Sequence, residues 1–326
     1  MIKRILHIIL LAILIPILIV LFLLLTHGGL KITLILANKL TDGNFYVKES
    51  TGSLINHFSL TDLHYQNKRF SININSLELS WHPLALLEGR FYIQALSVKN
   101  TEINLPLSVA SKKENKQNAH KNNISFKLPV AISAYNINLE KMTIQQGKKT
   151  HTIQSIKFDG YTWKDRISIQ QANINYYPHV LNLSGDFYLK MPFYVNLTSQ
   201  LITAFPAYHT IYTDTTLKGD MNTAYNLTIK VSKPFIASII ATLKSPLTEE
   251  KIAVTGQWKK ILFPISENND LSSSAGEISV NGNLKNYQFN LKTEMAGTHI
   301  PDGNLMLVGN GGSSLINFKT ISANIL

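Results

Sequence analysis

The feature that most constrains this chain is an uninterrupted apolar run near its beginning. From Ile8 to Leu25 the sequence has eighteen residues without a charged or strongly polar side chain. As a helix, the run is about 27 Å long, close to the roughly 30 Å of a bilayer's hydrocarbon core. It is longer than the apolar region of a cleaved signal peptide, and no Ala-x-Ala site follows it. The run therefore favours a membrane anchor over a signal peptide.

The charges beside the run predict its orientation. Lys3 and Arg4 precede it, and no acidic residue accompanies them. Because Lys and Arg stay preferentially on the cytoplasmic side, we expect residues 1–27 to form a cytoplasmic N-terminus and a transmembrane helix. The remainder of the chain is then expected across the membrane.

The composition limits the possible partners. The chain has no cysteine, which excludes disulfides and thiolate chemistry, and only 16% of its residues are charged. The net charge of +11 is spread thinly along the sequence and forms no stripe with interleaved aromatic residues. We therefore expect no nucleic-acid partner, and the charges are either solvated or attracted to anionic lipid headgroups.

Residues 28–107 are predicted to form a membrane-proximal helix and the first β-sheet units. A short amphipathic helix ending near Asp42-Gly43 is indicated by apolar residues at helical spacing, namely Leu30, Leu34, Ala37 and Leu40. From Phe45 the apolar period becomes two, which is typical of strands with one apolar face. The parity of the pattern changes at Asn75-Ser76, which predicts a bulge or bend. Pro83 and Gly89 bracket one or two predicted helical turns.

Two further regions are predicted after this. Residues 108–124 are rich in Lys, Asn and Gln and are expected to be a disordered polar linker. Residues 125–326 are expected to be repeated β-groove units, cut short at the C-terminus. An apolar-x-Gly-polar-apolar frame recurs there and predicts a repeated bend or close backbone approach at its glycines, which are Gly185, Gly219, Gly256, Gly282 and, more loosely, Gly309.

The strands must hide one face, and few helical segments are available to cover it. The chain could close a barrel, fold into two packed layers, or curl into a trough with an apolar concave face. We expect a mainly β fold in which an N-terminal transmembrane helix precedes a long, curled antiparallel or mixed sheet with few short helices. Candidate lipid-contacting residues of its groove are Ile74, Leu79, Trp81, Leu183, Val195, Leu197 and Leu291.

No catalytic, metal-binding or cofactor-binding residues are predicted. The histidines lack metal-ligand spacing, and no HExxH, CxxC or Gly-x-Ser-x-Gly motif occurs. The glycine-rich segment 309–314 lacks the lysine of a phosphate-binding loop and is expected to be a hairpin turn. We therefore expect a protein that is not an enzyme and needs no cofactor.

Three stretches, taken in order after the anchor, resemble the N-terminal part of the TamB family within the wider AsmA-like group. They are TGSLINHFSLTDLHY at residues 51–65, LELSWHPL at 77–84 and LSVKNTEINLP at 96–106. The resemblance weakens beyond residue 106 and involves no single diagnostic motif. It implies an inner-membrane protein of a Gram-negative envelope that extends through the periplasm as a folded sheet with an apolar interior.

The resemblance also implies a function and partners. The family is associated with phospholipid movement between the two membranes, and with autotransporter assembly alongside an outer-membrane barrel, TamA. The C-terminal region expected to face that barrel is not in this sequence. The alternative is a scaffold or chaperone-like protein that holds outer-membrane clients by strand addition, without lipid transport.

Overall fold

A computed structural model describes residues 14–16, 18–67, 69–105, 130–204, 210–244, 251–263, 270–283, 285–312 and 315–325. In these residues the protein is mainly β, as predicted. The chain divides into two compact units. The first contains residues 1–123 and 128–162, and the second contains residues 124–127 and 163–326. The predicted polar linker falls on residues outside the described ranges, and the predicted domain limits stay predictions.

The first unit contains a single mixed sheet and the helical segments. Its helices are α1 (Leu14–Leu25), α2 (His27–Leu40) and a 3-10 helix (Pro83–Glu88). Its strands are β1 (Phe45–Gly52), β2 (His57–Gln66), β3 (Ser71–His82), β4 (Arg90–Leu105), β5 (Ala131–Gln146) and β6 (Lys149–Trp163). Successive strands pair antiparallel except β4 and β5, which are parallel.

The second unit is an antiparallel sheet in which successive strands pair. Its strands are β7 (Arg166–Tyr176), β8 (His179–Tyr188), β9 (Val195–Thr203), β10 (Ile211–Gly219), β11 (Ala224–Lys233), β12 (Ile236–Lys244), β13 (Lys251–Phe263), β14 (Leu271–Asn283), β15 (Asn286–Gly297), β16 (Ile300–Gly311) and β17 (Ile316–Ile325). Glycine-rich residues 309–314 fall at the β16–β17 connection, where Gly311 pairs with Ile316. Strands β16 and β17 pair antiparallel as in a hairpin, but Gly309 to Gly311 belong to β16 itself, and residues 313 and 314 of the expected turn lie outside the described ranges.

The N-terminal apolar segment is described from Leu14 onward. Within the described part of the chain, no single helix is both long and apolar enough to cross a bilayer. Helices α1 and α2 meet the length and composition requirements only as a pair, and they are bent by 95°. The start of the predicted span, residues 8–13, lies outside the described ranges.

Helix α2 confirms the short helix predicted before the first strand. Thr26 caps its N-terminus, where the Thr26 hydroxyl accepts a 2.9 Å hydrogen bond from the Gly29 N–H. The helix ends at Leu40, just before Asp42 and Gly43, whose positive φ values turn the chain into β1. Leu40, one of the four apolar residues whose spacing predicted the helix, is 84% exposed.

A break in the β-ladder crosses the first unit at the predicted parity change. The paired residues on β2 and β3 pass from Thr61 and Ser76 to Leu63 and Ile74, so that Asp62 and Asn75 are left out. The same omission continues on the next strands at Asn100 and Lys141. Asp62, Asn100 and Lys141 each have φ 51. Because each break shifts the alternation by one residue, apolar side chains on both sides of the break reach the same face.

Four of the five recurring glycines mark places where neighbouring backbones approach closely, as predicted. The exception is Gly256, where a Cβ would meet the Ile278 side chain at 2.8 Å. Gly185, Gly219 and Gly282 have φ between +133 and +144. A Cβ at these positions would lie 2.0, 1.8 and 2.3 Å from the carbonyl oxygens of Asn196, Ala224 and Asn286, respectively. Only glycine fits there, because any side chain would collide with the adjacent strand.

The aligned break makes a testable prediction at Asn100. Replacing Asn100 by Val should lower the free energy of unfolding by about 1 to 2 kcal/mol, because a β-branched residue is strained at positive φ. Asn100→Gly should be close to neutral. Urea unfolding in detergent, followed by circular dichroism, measures the difference. Lys99→Val, on the same strand but outside the break, is the matched control, and equal losses at both positions would contradict this role.

Candidate functional site

Apolar side chains form rows across one face of the first unit. One row is Ser50, Leu60, Leu77, Val98, Leu139 and Ile156. Beyond the ladder break, the next row is Val47, Leu63, Ile74, Thr101, Met142 and Ile153. The alternate residues form the opposite, polar face, which includes Ser59, Glu78, Ser97, Asn138 and Lys157. The first sheet therefore has a clear apolar side and a clear polar side.

The second unit repeats this arrangement over eleven strands. One apolar row is Ile169, Gly185, Leu197, Leu217, Leu227, Ala241, Val254, Val280, Phe289, Gly309 and Phe318. The row beside it is Ala172, Leu183, Ser199, Thr215, Ile229, Ile239, Gly256, Ile278, Leu291, Leu307 and Ile321. Neither row contains an Asp, Glu, Lys or Arg. We call the apolar side of the strands in each unit the apolar face of that unit.

The opposite side of the second sheet is polar. Between the apolar positions run residues such as Asp186, Asn196, Lys218, Asn226 and Thr242. They bond to one another: the Arg166 guanidinium lies 2.8 Å from the Asp186 carboxylate, and the Thr242 hydroxyl donates to the Asn226 amide oxygen at 2.9 Å. This side therefore suits contact with water.

Within each unit, the described strands make their extensive contacts with the strands beside them. In the described part of the chain, only five large or small apolar side chains are less than about a tenth exposed: Leu30, Leu60, Val98, Ala172 and Val195. Ile239, in the interior strand β12, is still 40% exposed. A two-layered sandwich buries the facing side chains of both sheets. The described residues therefore supply no second layer, and two-layer packing within a unit is wrong.

The predicted groove residues all lie on the apolar faces. Ile74, Leu79 and Trp81 are on β3, with Ile74 on one side of the ladder break and the other two beyond it. In the second unit these positions are Leu183 on β8, Val195 and Leu197 on β9, and Leu291 on β15. The register thus places each candidate on the side expected of it. Their contact with lipid stays a prediction.

The sequence did not predict that aromatic rings would pack directly against glycines of the neighbouring strands. A Cβ on Gly276 would lie 2.2 Å from Cζ2 of Trp258, and one on Gly309 would lie 2.6 Å from Cζ of Phe289. Gly311 faces the Tyr287 ring at 2.6 Å in the same way. Gly309 belongs to the recurring frame found in the sequence. The sequence alone did not show that Phe289 lies opposite it, because this depends on the register between β15 and β16. These rings add apolar surface while standing little above the sheet.

The polar end of Tyr225 is accommodated on the apolar face. Its hydroxyl donates a 2.8 Å hydrogen bond to the Phe193 carbonyl oxygen. Burial raises the pKa of the Tyr225 phenol, and the nearby Asp220 carboxylate raises it further. The group therefore stays neutral at physiological pH and brings no charge to the face.

Two depressions lie on the polar sides. One of about 750 Å³ is bordered by Gln257, Glu277 and Lys292, and one of about 540 Å³ by His64, Asn73 and Glu102. Both are open and shallow. Among the residues with described positions, no three His, Asp or Glu side chains gather as metal ligands. The apolar faces, and not these depressions, are therefore the strongest candidate binding surfaces.

The contact between Trp258 and Gly276 can be tested by adding one methyl group. Gly276→Ala should displace the ring, break the 2.8 Å hydrogen bond from its Nε1 to the Ser273 hydroxyl, and cost about 1 to 3 kcal/mol of stability. The emission of Trp258 should change in a background where Trp81 and Trp163 are Phe. Ser279→Ala, on the polar side of the same strand, is the control. Unchanged emission in Gly276→Ala would contradict the packing.

Comparison with known proteins assigns the family. The family model described as TamB, N-terminal domain, matches residues 16–147 and again residues 125–326. No curated protein and no solved structure is significantly similar to the chain. The two matches together span most of the 326 residues and both units. The chain therefore belongs to the TamB family, through the N-terminal domain that defines this match.

Proposed function

We propose that this protein binds the acyl chains of phospholipids on its apolar faces and guides lipids between the inner and outer membranes. In this proposal a single N-terminal span holds it in the inner membrane, and its sheets lie in the periplasm. The observation that carries the proposal is a set of uncharged apolar rows that run from strand to strand without a second layer over them.

The energetics favour lipid over water on such a surface. Each CH₂ group removed from water contributes roughly 0.8 kcal/mol, so even part of an acyl chain offsets the cost of its ordering. The rows contain no charge that a hydrocarbon chain would have to desolvate. The headgroup can stay in water at the margin of the apolar face. A surface of this kind lowers the barrier to lipid movement but does not set its direction.

Membership of the TamB family supports this role and suggests partners. The family's association with autotransporter assembly leads us to propose that the protein also supports outer-membrane protein assembly. A TamA-like barrel would be the outer-membrane partner. The proposed role needs no catalytic residue and no cofactor, and it is not enzymatic.

Neighbouring residues on opposite faces allow a matched crosslinking test. Photoreactive amino acids at Ile74, Leu197 and Leu291 should form phospholipid adducts in cells. The same label at Asn73, Asn196 and Asn290, one residue away on the polar side, should not. Mass spectrometry of the purified protein identifies the adducts. Equal lipid labelling on both faces would contradict the proposal.

The same experiment tests strand addition to client proteins. In that case the labels at Ile74, Leu197 and Leu291 would capture no lipid, and peptides of outer-membrane proteins would be trapped at edge strands of the sheet. Such an outcome would replace lipid transport by a scaffold or chaperone-like function.

A charge on the apolar face should prevent lipid binding. Leu227→Asp places a carboxylate in the middle of a row, and desolvating it against an acyl chain costs several kcal/mol. We expect the lipid bound per protein, measured by native mass spectrometry, to fall at least about tenfold, which already corresponds to 1.4 kcal/mol. Asn226→Asp, the preceding residue on the polar side, is the control. Full lipid occupancy in Leu227→Asp would count against the proposed surface.

A further inference from the structure

Helix α2 has apolar side chains on both its packed and its outer sides. Leu30 on the packed side is 1% exposed, and the helix packs against β1. On the outer side, large aliphatic residues are between 42% and 84% exposed, and these are Ile32, Ile35, Leu36 and Leu40. A soluble surface helix would carry polar residues there. None of the described elements that contact α2 extensively covers this outer side.

The charge of α2 indicates what could cover it. The helix contains Lys31 and Lys39 and no acidic residue. Both lysines are exposed beside the outer aliphatic side chains. Exposed aliphatic residues together with lysines suit the boundary between the headgroups and acyl chains of an anionic bilayer. They do not suit a protein partner with an apolar core, which would have to desolvate the lysines.

The orientation of α2 relative to α1 also fits contact with a bilayer surface. Helix α1 is apolar, and its large side chains, such as Leu18 and Val20, remain about half exposed. Helix α2 leaves it at 95°, so that if α1 follows the membrane normal, α2 lies in the membrane plane. One hydrogen bond holds α2 at the start of β1, where the Asn38 amide donates to the Phe45 carbonyl oxygen. A second holds the end of α1, where the Ile55 N–H, between β1 and β2, donates to the Leu24 carbonyl oxygen at 2.9 Å.

The bend depends on one glycine. A Cβ on Gly29 would lie 2.4 Å from both the Leu23 Cα and the Phe22 carbonyl oxygen, in the last turn of α1. These are backbone atoms, so they cannot move aside without opening the bend. At the neighbouring Gly28 the nearest atom, Cζ of Phe22, is 3.6 Å away. An alanine is therefore tolerated at Gly28 and excluded at Gly29.

We infer that α2 is an interfacial helix, which lies flat at the surface of the bilayer with Ile32, Ile35 and Leu36 immersed at the headgroup boundary. It holds the edge strand β1 against the membrane. The apolar face of the first unit, where Val47 of β1 opens a row, then begins at the bilayer surface. This inference rests on the proposed function in one respect, since it names the place where acyl chains would pass from the bilayer onto the sheet.

The absence of cysteine in the natural sequence makes site-specific labelling simple. The full chain carrying Ile35→Cys or Leu36→Cys is labelled with an environment-sensitive fluorophore and placed in nanodiscs of phosphatidylethanolamine and phosphatidylglycerol. We expect blue-shifted emission that spin labels near the headgroup quench more strongly than spin labels near the chain end. Ser97→Cys, on the polar side of β4, should report water. Water-like emission at Ile35 and Leu36, or stronger quenching from the chain ends, would overturn the inference.

Substitutions at Gly28 and Gly29 provide the second part of the experiment. In the Ile35→Cys background, Gly29→Ala should change the quenching depth because the bend can no longer form, whereas Gly28→Ala should leave it unchanged. Equal depths in both variants would show that the bend does not position α2. Crosslinking at Leu197 and Leu291 in the second unit reports on lipid binding independently. Lipid adducts there without immersion of α2 would refute this inference alone, and immersion without adducts would refute only the proposed function.

Discussion

The structure depends on a hydrogen-bonded ladder whose strands are apolar on one side only. Hydrogen bonds between neighbouring strands satisfy the backbone, and side chains from successive strands meet in continuous rows. In most antiparallel proteins a second layer then covers the apolar side and forms the core. Here the described strands contact mainly their neighbours, and only five apolar side chains of the described chain are buried. The surface that would normally become a core is thus without a second layer of described strands over it.

Two local devices keep that surface continuous. In the first unit, residues at positive φ shift the alternation on neighbouring strands at the same level, so that Leu60 and Leu63 both reach the apolar face although they are three residues apart. In the second unit, glycines let strands approach closely and leave room for rings such as Phe289 and Trp258 to lie on the sheet. In both units, an unusual backbone conformation or a glycine at particular positions keeps one face of the sheet uniformly apolar.

The N-terminal helices lie next to the first strand of this surface. A glycine-dependent bend turns α2 along the first strand, and α2 carries aliphatic side chains and lysines on the side away from the sheet. The same chemical requirement, apolar surface beside water, therefore recurs at the helix and along the sheets. The proposed lipid ligand matches this requirement, because its acyl chains suit the apolar surface and its headgroup suits the water beside it.

The sequence by itself determined the strand periods, the short helix before Phe45, the helical turns between Pro83 and Gly89, and the parity change at Asn75, because these follow from local side-chain patterns and backbone preferences. It also assigned Leu197 and Leu291 to an apolar face, since alternation requires no knowledge of distant residues. Only the tertiary structure decided that no second layer of described strands covers that face, because two-layer packing and an open sheet have the same alternation. The parallel pairing of β4 with β5, the rings over Gly276 and Gly309, and the exposure of Leu40 likewise depend on which residues meet across the fold.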